Sequence, residues 1–284
     1  MRVSGEVERV TNLSPAAFEE HFERLDRPVV IEGGASAWRA TRTWNLDTLR
    51  QRLGTTKLRY KRSSSHQHPD FHQPTLAAMF AREEAPFSEF LAAITTGPRE
   101  ERARRIFTGD EQFVLERREG VTRENPELLP LYGDVELPAL VPAERLYTVW
   151  AWFSGPGPRT WLHYDNNACH NLNAQILGKK ECWLYSPDEL ERLYPFPLDG
   201  KNPAHNCCAV DVEAPDLALY PAFSDAKAEH ASLAPGDLLF IPVWWLHTFS
   251  HLGDLNANVN FWWRPATIRD NPVSRWQARV DAHT

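Results

Sequence analysis

The sequence predicts a mainly β protein, a sheet folded back on itself with helices attached. Three observations carry that expectation. Apolar and aromatic runs of strand length crowd the second half of the chain, at 145–153, 159–165 and 237–246. At 284 residues the chain is long for one core, a size at which all-β barrels carry helical additions. Hydrophobic content of 42%, with 11% aromatic residues, is enough for a sizeable core, and most of the eleven tryptophans are expected to be packing. Residues 1–284 are read as a single domain: elements over 1–143 that wrap a barrel, the barrel itself over 144–265, and a short helical tail over 266–284.

The elements follow from local chemistry. Ser14 followed by Pro15 is an N-cap with proline at the first helical position, opening a helix to about Leu25. Residues 28–31 read as a strand ended by Gly33-Gly34. Asn45 caps a second helix through Leu53, and 57–62 is a strand. Short helices are expected at 74–81, 87–95 and about 110–119. A proline-punctuated connection over 126–142 leads into the first barrel strand, Arg145 to Phe153. One more helix, at about 271–281, closes the chain.

The N-terminus has no apolar signal region, and no apolar run is long enough to span a bilayer, so a cytoplasmic protein is expected with no membrane partner. The four cysteines form no paired framework; reduced thiols are the expectation. A formal net charge of −7 argues mildly against a large polyanion as partner, and the basic stretches at 57–62 and 99–105 read as solvated charge. His66, His68 and His72 sit in a His-rich segment that reads as a solvated loop near the barrel mouth, where contact with substrate stays open.

The chemistry is concentrated in two segments. Thr160 to Lys180 reads T-W-L-H-Y-D-N-N-A-C-H-N-L-N-A-Q-I-L-G-K-K, and a later one reads P-G-D-L-L-F-I-P-V-W-W-L-H. Strand side chains at i and i+2 share a face, so His163 and Asp165 project together while Tyr164 points away. His247 ends a buried strand and turn that a folded-back sheet brings beside them. Two imidazoles and one carboxylate on one face of a metal leave three coordination positions open, the facial triad of non-haem Fe(II) oxygenases. Alternation puts Gly178, Lys180 and Cys182 on one face, opposite Lys179 and Glu181.

H-Y-D, then N-L-x-x-Q-I-x-G-x-K, L-Y-S-P, P-G-D-L-L-F-I-P-x-W-W-x-H and N-V-N-F-W together resemble the JmjC-type cupin-like hydroxylases. That family includes an asparaginyl hydroxylase and a tRNA wybutosine hydroxylase. The detailed likeness covers roughly 104–265, with a looser one reaching the N-terminus. It implies a double-stranded β-helix (jelly-roll) core using Fe(II), 2-oxoglutarate and O2. It also implies that His163, Asp165 and His247 are metal ligands and that Lys180 pairs with the far carboxylate of 2-oxoglutarate. Thr160 supports that carboxylate, and Asn171 and Asn260 are amides of the co-substrate pocket. Two departures stand out. Five residues, 166–170, separate Asp165 from Asn171 where the family has three, implying an extended loop. The upstream tyrosine that donates to the co-substrate aligns with Phe113-Val114-Leu115, which leaves Tyr147 or Thr160 to substitute, or 2-oxoglutarate to bind somewhat differently.

The resemblance implies hydroxylation of a C–H bond. A protein or peptide side chain is the leading substrate class. A modified tRNA base is the alternative, and a cupin-like binding protein without chemistry is a third reading. Relatives dimerise through longer C-terminal helices, so a homodimer stays open.

Overall fold

The computed structural model describes residues 2–63, 80–98, 102, 105–109, 128–157, 159–198 and 204–283. The expectations for the His-rich loop, for Phe113-Val114-Leu115 and for the helix at 110–119 fall outside them.

Among the described residues twelve strands join in one curled, mixed sheet. In chain order they are β1 (Arg2–Glu6), β2 (Arg9–Val10), β3 (Val29–Ile31), β4 (Lys57–Ser63), β5 (Phe80–Pro86), β6 (Arg105–Gly109), β7 (Leu146–Ser154), β8 (Arg159–His163), β9 (His170–Tyr185), β10 (Lys227–Leu233), β11 (Leu238–Ile241) and β12 (Leu246–Trp263). The helices are few and mostly short: α1 (Pro15–Phe18), α2 (Arg39–Thr43), α3 (Leu46–Leu53), α4 (Phe87–Thr95), α5 (Leu129–Tyr132), α6 (Leu190–Leu193) and α7 (Pro272–His283).

Two long strands make the barrel. The first half of β9 pairs with β11 and with the second half of β12, whose other edge carries β7. The second half of β9 pairs with β10 and with the first half of β12, whose other edge carries β8. Each long strand therefore belongs to two layers and must bend between them. In β9 the bend falls at Gly178, whose φ is +76°. In β12 the register slips between Leu252 and Ala257, around Gly253 at φ +84°. Such backbone is the left-handed region that glycine enters without penalty. A Cβ at Gly178 would also meet the Leu255 carbonyl oxygen at 2.5 Å. Gly178→Ala should therefore destabilise the fold by about 2 kcal/mol or more in denaturant unfolding.

The outer face of the larger layer carries the main core. Phe153 packs against Trp44 and Phe87 with ring centroids 5.7 and 5.4 Å apart, and Phe261 meets Trp38 at 6.0 Å. Phe18 of α1 reaches Phe240 at 4.9 Å. Each such ring stabilises the fold by roughly 1.5–3 kcal/mol relative to exposure. With the odd residues Val149, Ala151 and Phe153 of β7 spent on this core, Trp152 and Ser154 turn to the opposite, inner face.

Asn45 caps α3 as expected, in a reciprocal box with Thr48. The helix at 87–95 and the strand from Lys57 also stand where the sequence puts them. Ser14 caps α1, but the helix widens into a π-turn at Glu19–Glu23 and stops before Leu25. Residues 80 and 81 belong to β5, so the helix expected at 74–81 does not reach its end. Arg145 closes a 3-10 turn and the first barrel strand begins at Leu146. All four cysteines are unpaired and buried. Among the described residues no helix is long and apolar enough to cross a membrane.

Candidate metal and co-substrate site

His163 ends β8 and His247 is the second residue of β12, and the two are direct partners in the antiparallel register. That pairing sets their ring centroids 4.3 Å apart. Asp165 lies two residues past the end of β8, so its inward aim does not come from strand alternation as expected. It is held from outside: its Oδ2 accepts from Asn171 Nδ2 and from Trp262 Nε1, each at 2.8 Å. Its Oδ1 is left facing the imidazoles, 3.7 Å from His163 Nε2 and 3.9 Å from His247 Nε2. Ligand atoms of all three residues fall within 4.8 Å of one another.

The histidine tautomers follow from elementary valence. His163 Nδ1 lies 2.6 Å from the Trp161 carbonyl and His247 Nδ1 lies 3.1 Å from the Trp245 carbonyl. A carbonyl can only accept, so each Nδ1 carries a proton and each Nε2 is the atom left to face Asp165 and a metal. Burial, with His163 nearby, pushes His247 down to about 4 against the pull of Asp165, so this ring is neutral near pH 7. Burial pushes the Asp165 carboxyl up, but His247, His163 and the two donors on Oδ2 outweigh it and hold it below its ordinary value. Two imidazole nitrogens and one ionised carboxylate oxygen are the donor set a divalent first-row metal takes. The site fits such an ion. Trp262→Phe keeps the ring but drops one hydrogen bond to Asp165, and should weaken Mn(II) binding roughly tenfold in a calorimetric titration.

Behind the triad runs a cavity of about 150 Å³ between the two layers, lined by Thr160, Asn171, Lys180 and Asn260 together with residues not expected. Past the Gly178 bend, Lys180 is only 2% exposed, whereas Lys179 is exposed on the outer face. Lys180 Nζ donates to Asn258 Oδ1 and lies 5.2 Å from the centre of the Phe249 ring. Among the described residues no carboxylate comes within ion-pair distance of it. Burial lowers its pKa to about 7, against a small opposing effect of Cys182. Thr160 Oγ1 accepts from the Phe249 N–H at 3.1 Å and keeps its own proton to donate.

The amides form a directed chain. Lys180 donates to Asn258, Asn258 Nδ2 to Asn260 Oδ1 at 2.5 Å, Asn260 Nδ2 to Asn171 Oδ1 at 2.8 Å, and Asn171 to Asp165. An ammonium only donates and a carboxylate only accepts, so both ends impose the same amide orientation. The sequence reading found Asn171 and Asn260 but not Asn258. The alternation Asn256, Asn258, Asn260, Trp262 along one face of β12 was the signal that would have found it. Trp152 and His251 also line the cavity and carried no motif.

Residues 166–169 form the extended loop inferred from the spacing, with Ala168 at φ +54°. Tyr147 does not substitute for the missing tyrosine. It is 38% exposed, with Arg264 4.4 Å from its ring centre, and it stands outside the cavity lining. Thr160 does line the cavity.

Fold and site together define a jelly-roll barrel that carries a His–Asp–His cluster at its mouth and a buried lysine behind it. A family model described as cupin-like domain matches residues 15–268. The chain belongs to that cupin-like, JmjC-type family. It is 30% identical over 264 residues to tRNA wybutosine-synthesizing protein 5 of Danio rerio, covering 91% of this chain and 75% of that protein. It is 29% identical over 255 residues to lysine-specific demethylase 8 of Xenopus tropicalis, and 27% identical over 287 residues to lysine-specific demethylase JMJ31 of Arabidopsis thaliana. These matches take in 87% and 92% of this chain but only 50% of each demethylase.

Proposed function

We propose that the chain is an Fe(II)- and 2-oxoglutarate-dependent oxygenase that hydroxylates a C–H bond, with residues 1–284 acting as one catalytic unit. The observation that carries this reading is Lys180. A buried cation without a carboxylate partner among the described residues shares one small cavity with a triad suited to a divalent metal. A dicarboxylate that reaches both satisfies both.

In this reading His163, Asp165 and His247 hold the metal, and Lys180 anchors the far carboxylate with support from the Thr160 hydroxyl. When bound, iron and 2-oxoglutarate supply oxidative chemistry in which O2 is consumed and succinate and carbon dioxide are released. Asn171 and Trp262 occupy Asp165 Oδ2, so Oδ1 is the oxygen that would be offered to a metal. The walls formed by Trp152, Phe249 and Trp262 keep water away from the reacting atoms.

The substrate is proposed to be a protein or peptide side chain. The net charge of −7 and the relatives named as lysine-specific demethylases support this class. The similarity to tRNA wybutosine-synthesizing protein 5 over 91% of the chain favours a second reading, a modified tRNA base. Succinate release by the Fe(II)-loaded protein, measured with cell extract divided into protein and RNA fractions, decides between them. Stimulation by the protein fraction supports the first reading and stimulation by RNA the second. No metal-dependent release with either fraction overturns both.

A further inference from the structure

Away from the triad, the cavity ends on a pair of residues that the reading above leaves unused. His251 stands directly opposite Lys180 in the register of β12 on β9, so their side chains leave the same face of the sheet side by side. His251 is 7% exposed and lines the cavity. Its Nδ1 lies 2.5 Å from the hydroxyl oxygen of Ser154, which comes from β7 in the other layer. The contact ties the two layers together and fixes the ring plane. Among the described residues Nε2 has no hydrogen-bond partner. Burial, reinforced by the charge of Lys180, holds the imidazole far below its ordinary pKa, so the ring is neutral.

A carboxylate brought to this end loses its water and needs its oxygens satisfied again. Two oxygens present about four lone-pair sites. Lys180 has three N–H groups, of which Asn258 takes one. Thr160 adds a hydroxyl. The wall beside them is the Phe249 ring, which donates no conventional hydrogen bond. One donor position remains to be filled, and the ring beside Lys180 is placed to fill it.

Resting on the oxygenase reading, we propose that His251, oriented by Ser154, is a second binding residue for the far carboxylate of the co-substrate. The Ser154 hydroxyl donates to Nδ1, which places the ring proton on Nε2 and turns Nε2–H toward the carboxylate. Recognition of a dicarboxylate then rests on a cation and a neutral imidazole together. This also provides a donor at the end of the cavity from which Tyr147 is absent.

Calorimetric titration of Mn(II)-loaded protein without oxygen tests the assignment with two ligands. The first is 2-oxoglutarate. The second is 2-oxobutyrate, which keeps the keto-acid end and lacks the far carboxylate. His251→Phe should weaken 2-oxoglutarate roughly tenfold or more and leave 2-oxobutyrate unchanged. His251→Gln retains an N–H donor and should recover most of the loss. Ser154→Ala releases the ring and should weaken 2-oxoglutarate severalfold, again without effect on 2-oxobutyrate. If His251→Phe does not fold, Ser154→Ala carries the same comparison. Equal weakening of both ligands, or no weakening of 2-oxoglutarate, overturns the role of His251 while the oxygenase reading stands. A wild-type protein that binds neither ligand overturns both.

Discussion

Asp165→Ala is expected to lower Mn(II) affinity roughly a thousandfold, beyond the 10–100-fold that loss of an outer partner costs. The reason lies in the division of labour between the two carboxylate oxygens. Oδ2 is engaged by Asn171 and Trp262, and Oδ1 is the atom facing both Nε2 atoms. Without it the cluster offers two imidazole nitrogens and no anionic oxygen to balance the charge of the ion. The fold should survive, because Asp165 sits at the mouth, past the end of β8. Retained thermal stability with lost metal binding is the expected pattern. Near-normal Mn(II) affinity in this variant would mean that the metal binds elsewhere.

Lys180→Met should cost about a hundredfold in 2-oxoglutarate affinity, the expected effect of removing a charge-assisted pair from a buried site. The pH dependence provides the sharper test. In the absence of a ligand, burial holds Lys180 at about 7, so above that pH much of the population is neutral. A carboxylate favours the ammonium and raises the pKa, so binding takes up a proton. Affinity should therefore be greatest below pH 7 and fall as pH rises, approaching tenfold per unit while the free lysine is neutral and the bound one charged. Calorimetry in buffers of different ionisation enthalpy at pH 8 should register proton uptake by the wild type and none by Lys180→Met. Flat affinity between pH 7 and 9 would remove Lys180 from the anchor position.

The sequence made the chemical centre more legible than its supports. His163 and Asp165 share a face by their spacing, His247 and Lys180 stand in the motifs that carry the family resemblance, and the structure brings all four around one cavity. Asn45 and Ser14 were readable because helix caps act within three residues. What escaped depends on contacts distant in the chain. Asp165 is oriented by Trp262, 97 residues away, so strand periodicity gave its direction for the wrong reason. Asn258 has its role because, past the bend at Gly178, the Lys180 ammonium reaches across to its side-chain oxygen. The two-residue strand β2 and the parallel pairing of β1 with β10 have no local signature, since each is completed by a partner from elsewhere in the chain. The widening of α1 into a π-turn likewise has a tertiary setting. Glu23 is drawn inward to accept from Arg145 at 2.6 Å and from the Trp263 indole at 3.3 Å.

The most direct test of the account is anaerobic titration of 2-oxoglutarate into three samples: Mn(II)-loaded protein, metal-free protein, and Mn(II)-treated Asp165→Ala. One molecule should bind per chain in the first sample, with affinity at least tenfold weaker in the other two, because on the oxygenase reading one ligand would reach both the metal and Lys180. Equal binding in all three samples, or none in the first, would contradict it.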